Sequence, residues 1–296
     1  MSTLYTEQSK NTGKTWMLMS IFLIVVIGIG FIFSQLYHNP AILYFFVVFS
    51  VSMNVVSYWF SDKIALSIAK AHPATRAQYF DLYTTVENIS ITAGLPMPKV
   101  YVIEDPSPNA FATGRDKDHS VVACTTGLLS MMNKNELEGV IAHEMSHIGN
   151  RDMLLSTVAV VLVGFVSIIS DMMIRMTIFG GGRDNNREGN GIFMIVGIVF
   201  SILAPILATL IQLAISRKRE YLADASGALL TRYPEGLASA LEKIGKYNRP
   251  MMNKSTAIAH LYIANPFGQE GVGKKVSNLF STHPPLENRI KILRSM

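Results

Sequence analysis

Long apolar stretches without charge alternate along this chain with mixed, charge-bearing segments. No charged residue lies between Lys14 and Asp62. The run is broken only at Tyr37-His38-Asn39-Pro40, a turn-forming cluster. Trp16–Leu36 and Ala41–Phe60 are each about 20 residues, enough to cross a ~30 Å hydrocarbon core as helix. Trp16, Tyr37, Tyr58 and Trp59 stand at the ends, where aromatic rings favour the membrane interface. The pattern predicts a helical hairpin, because a signal peptide has a shorter apolar core and a small-residue cleavage site. Met153–Ser170 and Gly189–Ser216 are also uncharged, with the polar, glycine-rich Asp171–Glu188 between them. They read as a second hairpin. The competing reading is a buried helix pair within a soluble domain, since about 18 residues is near the lower limit for spanning.

The other segments carry mixed periodicities. Ala77–Ala93 reads as helix, with Leu82, Val86 and Ile89 on one side and a stop at Gly94-Leu95-Pro96. Lys99–Ile103 and Ser120–Thr125 alternate like strands. Asn135–Gly149, Arg219–Leu230 and Glu235–Lys246 read as helices. The expected organisation is a tail and hairpin over residues 1–61, a first catalytic-domain part over 62–152, a second hairpin over 153–216 and a second domain part over 217–296.

Composition agrees with a membrane protein. Hydrophobic residues make up 49% and charged ones only 16%, against about 25% charged in soluble domains. The single cysteine, Cys124, excludes an internal disulfide and a Cys-based zinc cluster. The net charge of +5 comes without a Lys/Arg block interleaved with aromatics, so no nucleic-acid partner is expected. Lys10 and Lys14 precede the first hairpin, Lys63, Lys70 and Arg76 follow it, and Arg217, Lys218 and Arg219 follow the second apolar pair. The positive-inside rule then places both termini and the polar bulk in the cytoplasm. Arg175, Arg183 and Arg187 run against that rule in the segment placed outside.

The chemistry is concentrated in His143-Glu144-Met145-Ser146-His147. Histidines four apart share one helix face, so two imidazole nitrogens can meet one zinc ion, and Glu144 is placed to act as general base. The bland reading is a solvated helix face. A catalytic zinc needs a third protein ligand. Glu220 is the best candidate, with Asp224 one turn later to accept the outward N–H of a ligand histidine. Alternatively, Glu220 pairs with Arg217 or Lys218 on the helix surface.

Taken together, the pieces resemble the HtpX-type membrane zinc endopeptidases, relatives of the CAAX prenyl proteases among the glutamate-liganded zincins. The matching segments are Pro98–Val102, Asn109–Gly114, His143–His147, Glu220–Asp224 and Ser281-Thr282-His283-Pro284-Pro285 with Arg289. The resemblance implies an α+β zincin-like metalloprotease domain fused to α-helical membrane hairpins, about four transmembrane helices in all. It implies one Zn2+ per chain on His143, His147 and Glu220, with Glu144 as catalytic base. It implies a protease at the cytoplasmic face of the cell membrane that clears misfolded or damaged membrane proteins under stress. It places Asn109, Ala110, Phe111 and Ala112 along the substrate cleft, where an unfolded peptide adds a strand through its backbone; these residues also suit a plain turn. His283, held extended by the prolines after it, either stabilises the oxyanion as a second catalytic residue or caps the helix near Leu286–Leu293.

Three other functions are separable. An intramembrane protease carries its H-E-x-x-H within an apolar span, whereas Glu136, Glu138 and Arg151 surround this one. A CAAX prenyl protease has more membrane helices. A non-enzymatic, zinc-stabilised membrane scaffold would keep its function after loss of a ligand.

Overall fold

The computed structural model describes residues 4–159, 162, 217–247, 249–253, 255, 257–268 and 284–296. The second apolar pair lies almost wholly outside the described residues, as does His283.

The chain begins with α1 (Leu4–Leu36) and α2 (Pro40–Ala69). Between them His38 adopts a left-handed conformation (φ 49°). Asn39 caps α2 by accepting the Ala41 N–H at 3.0 Å, and Pro40 occupies the first helical turn, where a missing N–H costs nothing. The two helices lie close. A Cβ on Gly30 would fall 2.4 Å from Phe46 Cβ, and Trp16 stacks on Tyr58 at 6.1 Å. Both contain stretches long and apolar enough to cross a membrane, and they are the two such helices among the described residues. Tyr44, Phe45, Val48, Val51 and Val55 are exposed along α2, which a soluble core helix would not permit. At 33 and 30 residues the helices run to roughly 45–50 Å, longer than the apolar spans. The excess is built into the domain, with Asn11 and Thr15 of α1 and Ala65, Leu66 and Ala69 of α2 buried.

The domain holds a four-stranded mixed sheet of β1 (His72–Pro73), β2 (Lys99–Ile103), β3 (Ala110–Gly114) and β4 (Ser120–Thr125), in the order β1-β2-β4-β3. β2 and β4 are parallel, Val100 beside Val122, and β3 is the antiparallel edge, Ala112 beside Val122. Alternation gives the sheet two apolar faces. Val100, Val102, Ala110, Ala112, Val122 and Cys124 pack with α3 (Phe80–Ala93) and α5 (Lys134–Gly149). Ile103, Phe111, Val121 and Ala123 pack with the end of α2 and with Met251, Ala257, Ile258, Leu261 and Tyr262.

A short α4 (Thr126–Met131) leads into α5, whose start is set by a capping box: Asn133 Oδ1 accepts the Glu136 N–H and Glu136 Oε2 accepts the Asn133 N–H. The buried Glu136 also accepts Lys243 Nζ at 2.6 Å and Ser239 Oγ at 2.8 Å from α7 (Pro234–Lys246), so the beginning of α5 is tied to that helix. α6 (Arg217–Thr231) crosses α5 closely because Gly227 has no side chain. A Cβ there would lie 2.9 Å from His143 N. α8 (Leu286–Leu293) closes the domain over α6 and α7 and carries the buried Arg289.

The crossing generates a prediction. Gly227→Val pushes α6 off the backbone of α5, as overpacking does elsewhere at about 1–3 kcal/mol. A lowered unfolding midpoint together with weaker metal binding is expected from denaturation and metal titration of the variant.

Candidate metal centre

Three side chains from two helices converge at the α5–α6 crossing. His143 and His147, one turn apart on α5, bring their Nε2 atoms to 3.3 Å. Glu220, in the first turn of α6, places Oε2 3.8 Å from His143 Nε2 and Oε1 3.7 Å from His147 Nε2. One ligand atom from each lies within 4.8 Å of the others. Donor atoms around a tetrahedral ion at ~2.0–2.1 Å are roughly 3.3–3.4 Å apart, so the set is positioned to bind a metal ion.

Each imidazole is oriented through its other nitrogen. Asp224 Oδ1 lies 3.0 Å from His143 Nδ1, and Asp152 Oδ2 lies 3.2 Å from His147 Nδ1. Carboxylates at Nδ1 favour the tautomer whose Nε2 lone pair faces a metal. Arg289 grips Asp224 with two parallel bonds, Nε to Oδ2 at 2.8 Å and Nη2 to Oδ1 at 2.7 Å, and reaches within 3.7 Å of Glu220 Oε2. Arg219 Nε is 3.8 Å from Asp152 Oδ1. Four buried carboxylates, from Glu144, Asp152, Glu220 and Asp224, face two guanidiniums, from Arg219 and Arg289. The negative charge concentrated among these described residues favours a bound cation.

The titration of these groups follows the same electrostatics. Burial pushes Glu144 up to about 7, and burial drives His143 down to about 4. Burial would also depress His147, but its bond to Asp152 and the charge of Glu220 prevail and raise it to about 9. Burial opposes ionisation of Asp224, yet the Arg289 charge holds it down near 2.

Glu144 lines the same small cavity, about 40 Å³, as the three ligand side chains. Its Oε1 is buried without a hydrogen-bond partner, and the nearby Ala112 backbone amide favours its ionised form. Of Asn109, Ala110, Phe111 and Ala112, only Ala112 lines this cavity. Asn109 instead clamps Ala264, donating to its carbonyl at 3.0 Å and accepting its N–H at 3.2 Å, and Ala110 C=O accepts the Ile263 N–H. Phe111 sits on the other sheet face, edge-on to Tyr262 at 5.2 Å. His260, Leu261 and Ile263 complete one wall.

Sequence reasoning did not single out Asp152 or the pairing of Arg289 with Asp224. Asp152 follows a left-handed Arg151 (φ 56°) just past α5, outside any helical spacing from His147. An acidic residue immediately beyond an H-E-x-x-H helix is the one signal that could have flagged it.

Two helix histidines, a glutamate from a second helix and a neighbouring glutamate in a sheet-and-helix domain define a metallopeptidase-type site. The model of Peptidase family M48 matches residues 76–296. Three relatives named Protease HtpX homolog align along almost the whole chain. Those of Caldanaerobacter subterraneus subsp. tengcongensis and Thermoanaerobacter pseudethanolicus are 47% and 48% identical, each covering 99% of this chain and 98% of the relative. One from Tropheryma whipplei is 46% identical with the same coverage. The crystal structure of S. mikatae Ste24p superposes with a TM-score of 0.51 at 19% identity, over 95% of this chain and 66% of that one, a likeness of fold. The chain belongs to peptidase family M48, as an HtpX-type metalloprotease.

Metal and proton compete at His147. Its raised pKa means that below about pH 9 an entering ion must displace a proton, so apparent affinity falls about tenfold for each unit of decreasing pH. Competitive metal titrations at pH 8 and pH 7 should differ by about that factor. Removing Arg289 leaves Asp224 buried and uncompensated, so Arg289→Ala is expected to cost about 3–5 kcal/mol in denaturant unfolding.

Proposed function

We propose that the chain is a zinc-dependent endopeptidase of the cell membrane, facing the cytoplasm, that hydrolyses peptide bonds of misfolded or damaged membrane proteins. The observation that carries this reading is the convergence of His143, His147 and Glu220 beside Glu144. Two imidazoles and one carboxylate form the donor set of His2Glu catalytic zinc sites. Zinc held there would supply Lewis acidity, polarising the scissile carbonyl and acidifying a water. Glu144 takes the proton of the attacking water and passes it to the leaving amine. Burial puts its carboxyl near neutral, where a group both accepts and returns a proton efficiently. The Ala112 backbone amide nearby favours its ionised form. Asp224 and Asp152 hold the two imidazoles, and Arg289 holds Asp224.

The edge strand β3 offers the substrate a backbone ladder. Residues 263–264 already cover it at Asn109 and Ala110, so an extended peptide would add from Ala112 onward. Recognition through backbone groups reads little side-chain identity, which suits clearance of diverse damaged chains. His283 remains the candidate for oxyanion stabilisation.

Substrates from the bilayer have a short route. Asn11, next to the metal centre, is five residues before Trp16 on α1, about 7–8 Å along the helix axis. Lys10, Lys14 and Lys63 flank the apolar spans of the hairpin on the domain side, and basic flanks favour the cytoplasm.

The test is cleavage of an unfolded protein by full-length chain in detergent, with and without zinc. Wild type cleaves only with zinc. Glu144→Ala retains stoichiometric zinc and loses activity by at least about 10³-fold, in keeping with loss of an essential acid–base group. His143→Ala loses both. Cleavage that survives Glu144→Ala would reject the assignment.

A further inference from the structure

We propose that Asn11, on α1, is a positioning residue of the metal centre: its side-chain amide holds Asp152, and Asp152 orients His147. The inference rests on the metal-centre reading and extends it to the first membrane helix.

Asn11 Nδ2 donates to Asp152 Oδ1 at 2.5 Å and to the Asn150 carbonyl at 3.3 Å. The other oxygen of Asp152 faces His147 Nδ1 at 3.2 Å. Amide, carboxylate and imidazole thus form one line of polar contacts from α1 to a ligand atom. Asn11, Asp152 and Asn150 are all buried. The line crosses a sequence separation of 141 residues between Asn11 and Asp152, so it exists only when α1 is docked on the domain.

An asparagine is an expensive choice at this place. Beyond Asn11, α1 packs through Leu18, Met19, Phe22 and Val26 against Leu155, Val158, Ala159 and Leu162. An apolar side chain at position 11 would extend that contact without desolvating an amide. Asn11 Oδ1 is moreover buried with no hydrogen-bond partner, so the residue bears a polar cost on one side of its amide. What it gains is two donors on a carboxylate and a carbonyl at the end of α5. Asp152 needs such a hold, because it follows the left-handed Arg151 and lies outside α5. Arg219 Nε lies 3.8 Å from Asp152 Oδ1 and supplies charge to it.

The consequence is that the membrane hairpin completes the metal site as well as anchoring the domain. Outer partners of a metal-bound histidine tune affinity by about 10–100-fold, and a residue one step further out should act more weakly, by roughly threefold to tenfold.

Asn11→Leu separates positioning from packing. In the metal-stripped, full-length chain in detergent, it should still unfold in one cooperative transition, with a lowered midpoint because the buried Asp152 carboxylate and Asn150 carbonyl lose a donor. Its zinc affinity, measured against a competing chelator, should fall roughly threefold to tenfold. Asp152→Ala should fall further, and adding Asn11→Leu to Asp152→Ala should change nothing more, because the amide has lost the group through which it acts. Zinc affinity of Asn11→Leu equal to wild type would overturn the proposal, as would losses that multiply in the double variant. The single variant decides the matter should Asp152→Ala not fold. A wild type that binds no zinc at all would overturn the metal-centre reading itself, and the positioning role with it.

Discussion

Four carboxylates buried beside two imidazoles, with two guanidiniums facing them among the described residues, is the constraint around which this molecule is built. Such a cluster is unfavourable unless its negative charge is met. The protein meets part of it with Arg289 clamped on Asp224 and Arg219 near Asp152. His143, His147 and Glu220 are positioned to bind a metal ion that would offset more of it. The upward shifts of Glu144 and His147 express the same demand, since both groups then tend toward taking up a proton.

The fold reads as the means of assembling those charges. α5 supplies two ligands and the neighbouring glutamate. α6 supplies the third ligand and Asp224, and it comes close enough because Gly227 lies against the backbone at His143. α8 supplies Arg289, α1 supplies Asn11, and the sheet sets its edge strand against Glu144 through Ala112. The capping box at Asn133 and Glu136, tied to Lys243, fixes where α5 starts and therefore where its histidines point.

Much of this was legible in the sequence because local rules carry it. Alternation placed β2 and β4 at their observed bounds, helical periodicity placed α5 to within one residue at its start, and the turn cluster at Tyr37–Pro40 marked the break between α1 and α2. β3, Ala-Phe-Ala-Thr-Gly, has no β-branched run, and its pairing with β4 decides its conformation. β1 is two residues long and exists through its neighbour β2. In the site, the spacing of His143 and His147 is a helix property and could be read directly. The bond from Asn11 and the grip of Arg289 on Asp224 join residues far apart in sequence, and no periodicity records them. Side chains of successive strand residues point to opposite faces, which sends Phe111 to the far cluster and sets Ala112 at the cavity.

The central claim is that one metal ion sits among two imidazoles and a carboxylate. X-ray absorption at the zinc edge, on the full-length protein loaded with one equivalent of zinc in detergent, tests it most directly. The account predicts a first shell of nitrogen and oxygen at ~2.0–2.1 Å with outer scattering from two imidazoles. A sulfur scatterer at ~2.3 Å, or scattering from fewer or more than two imidazoles, would contradict it.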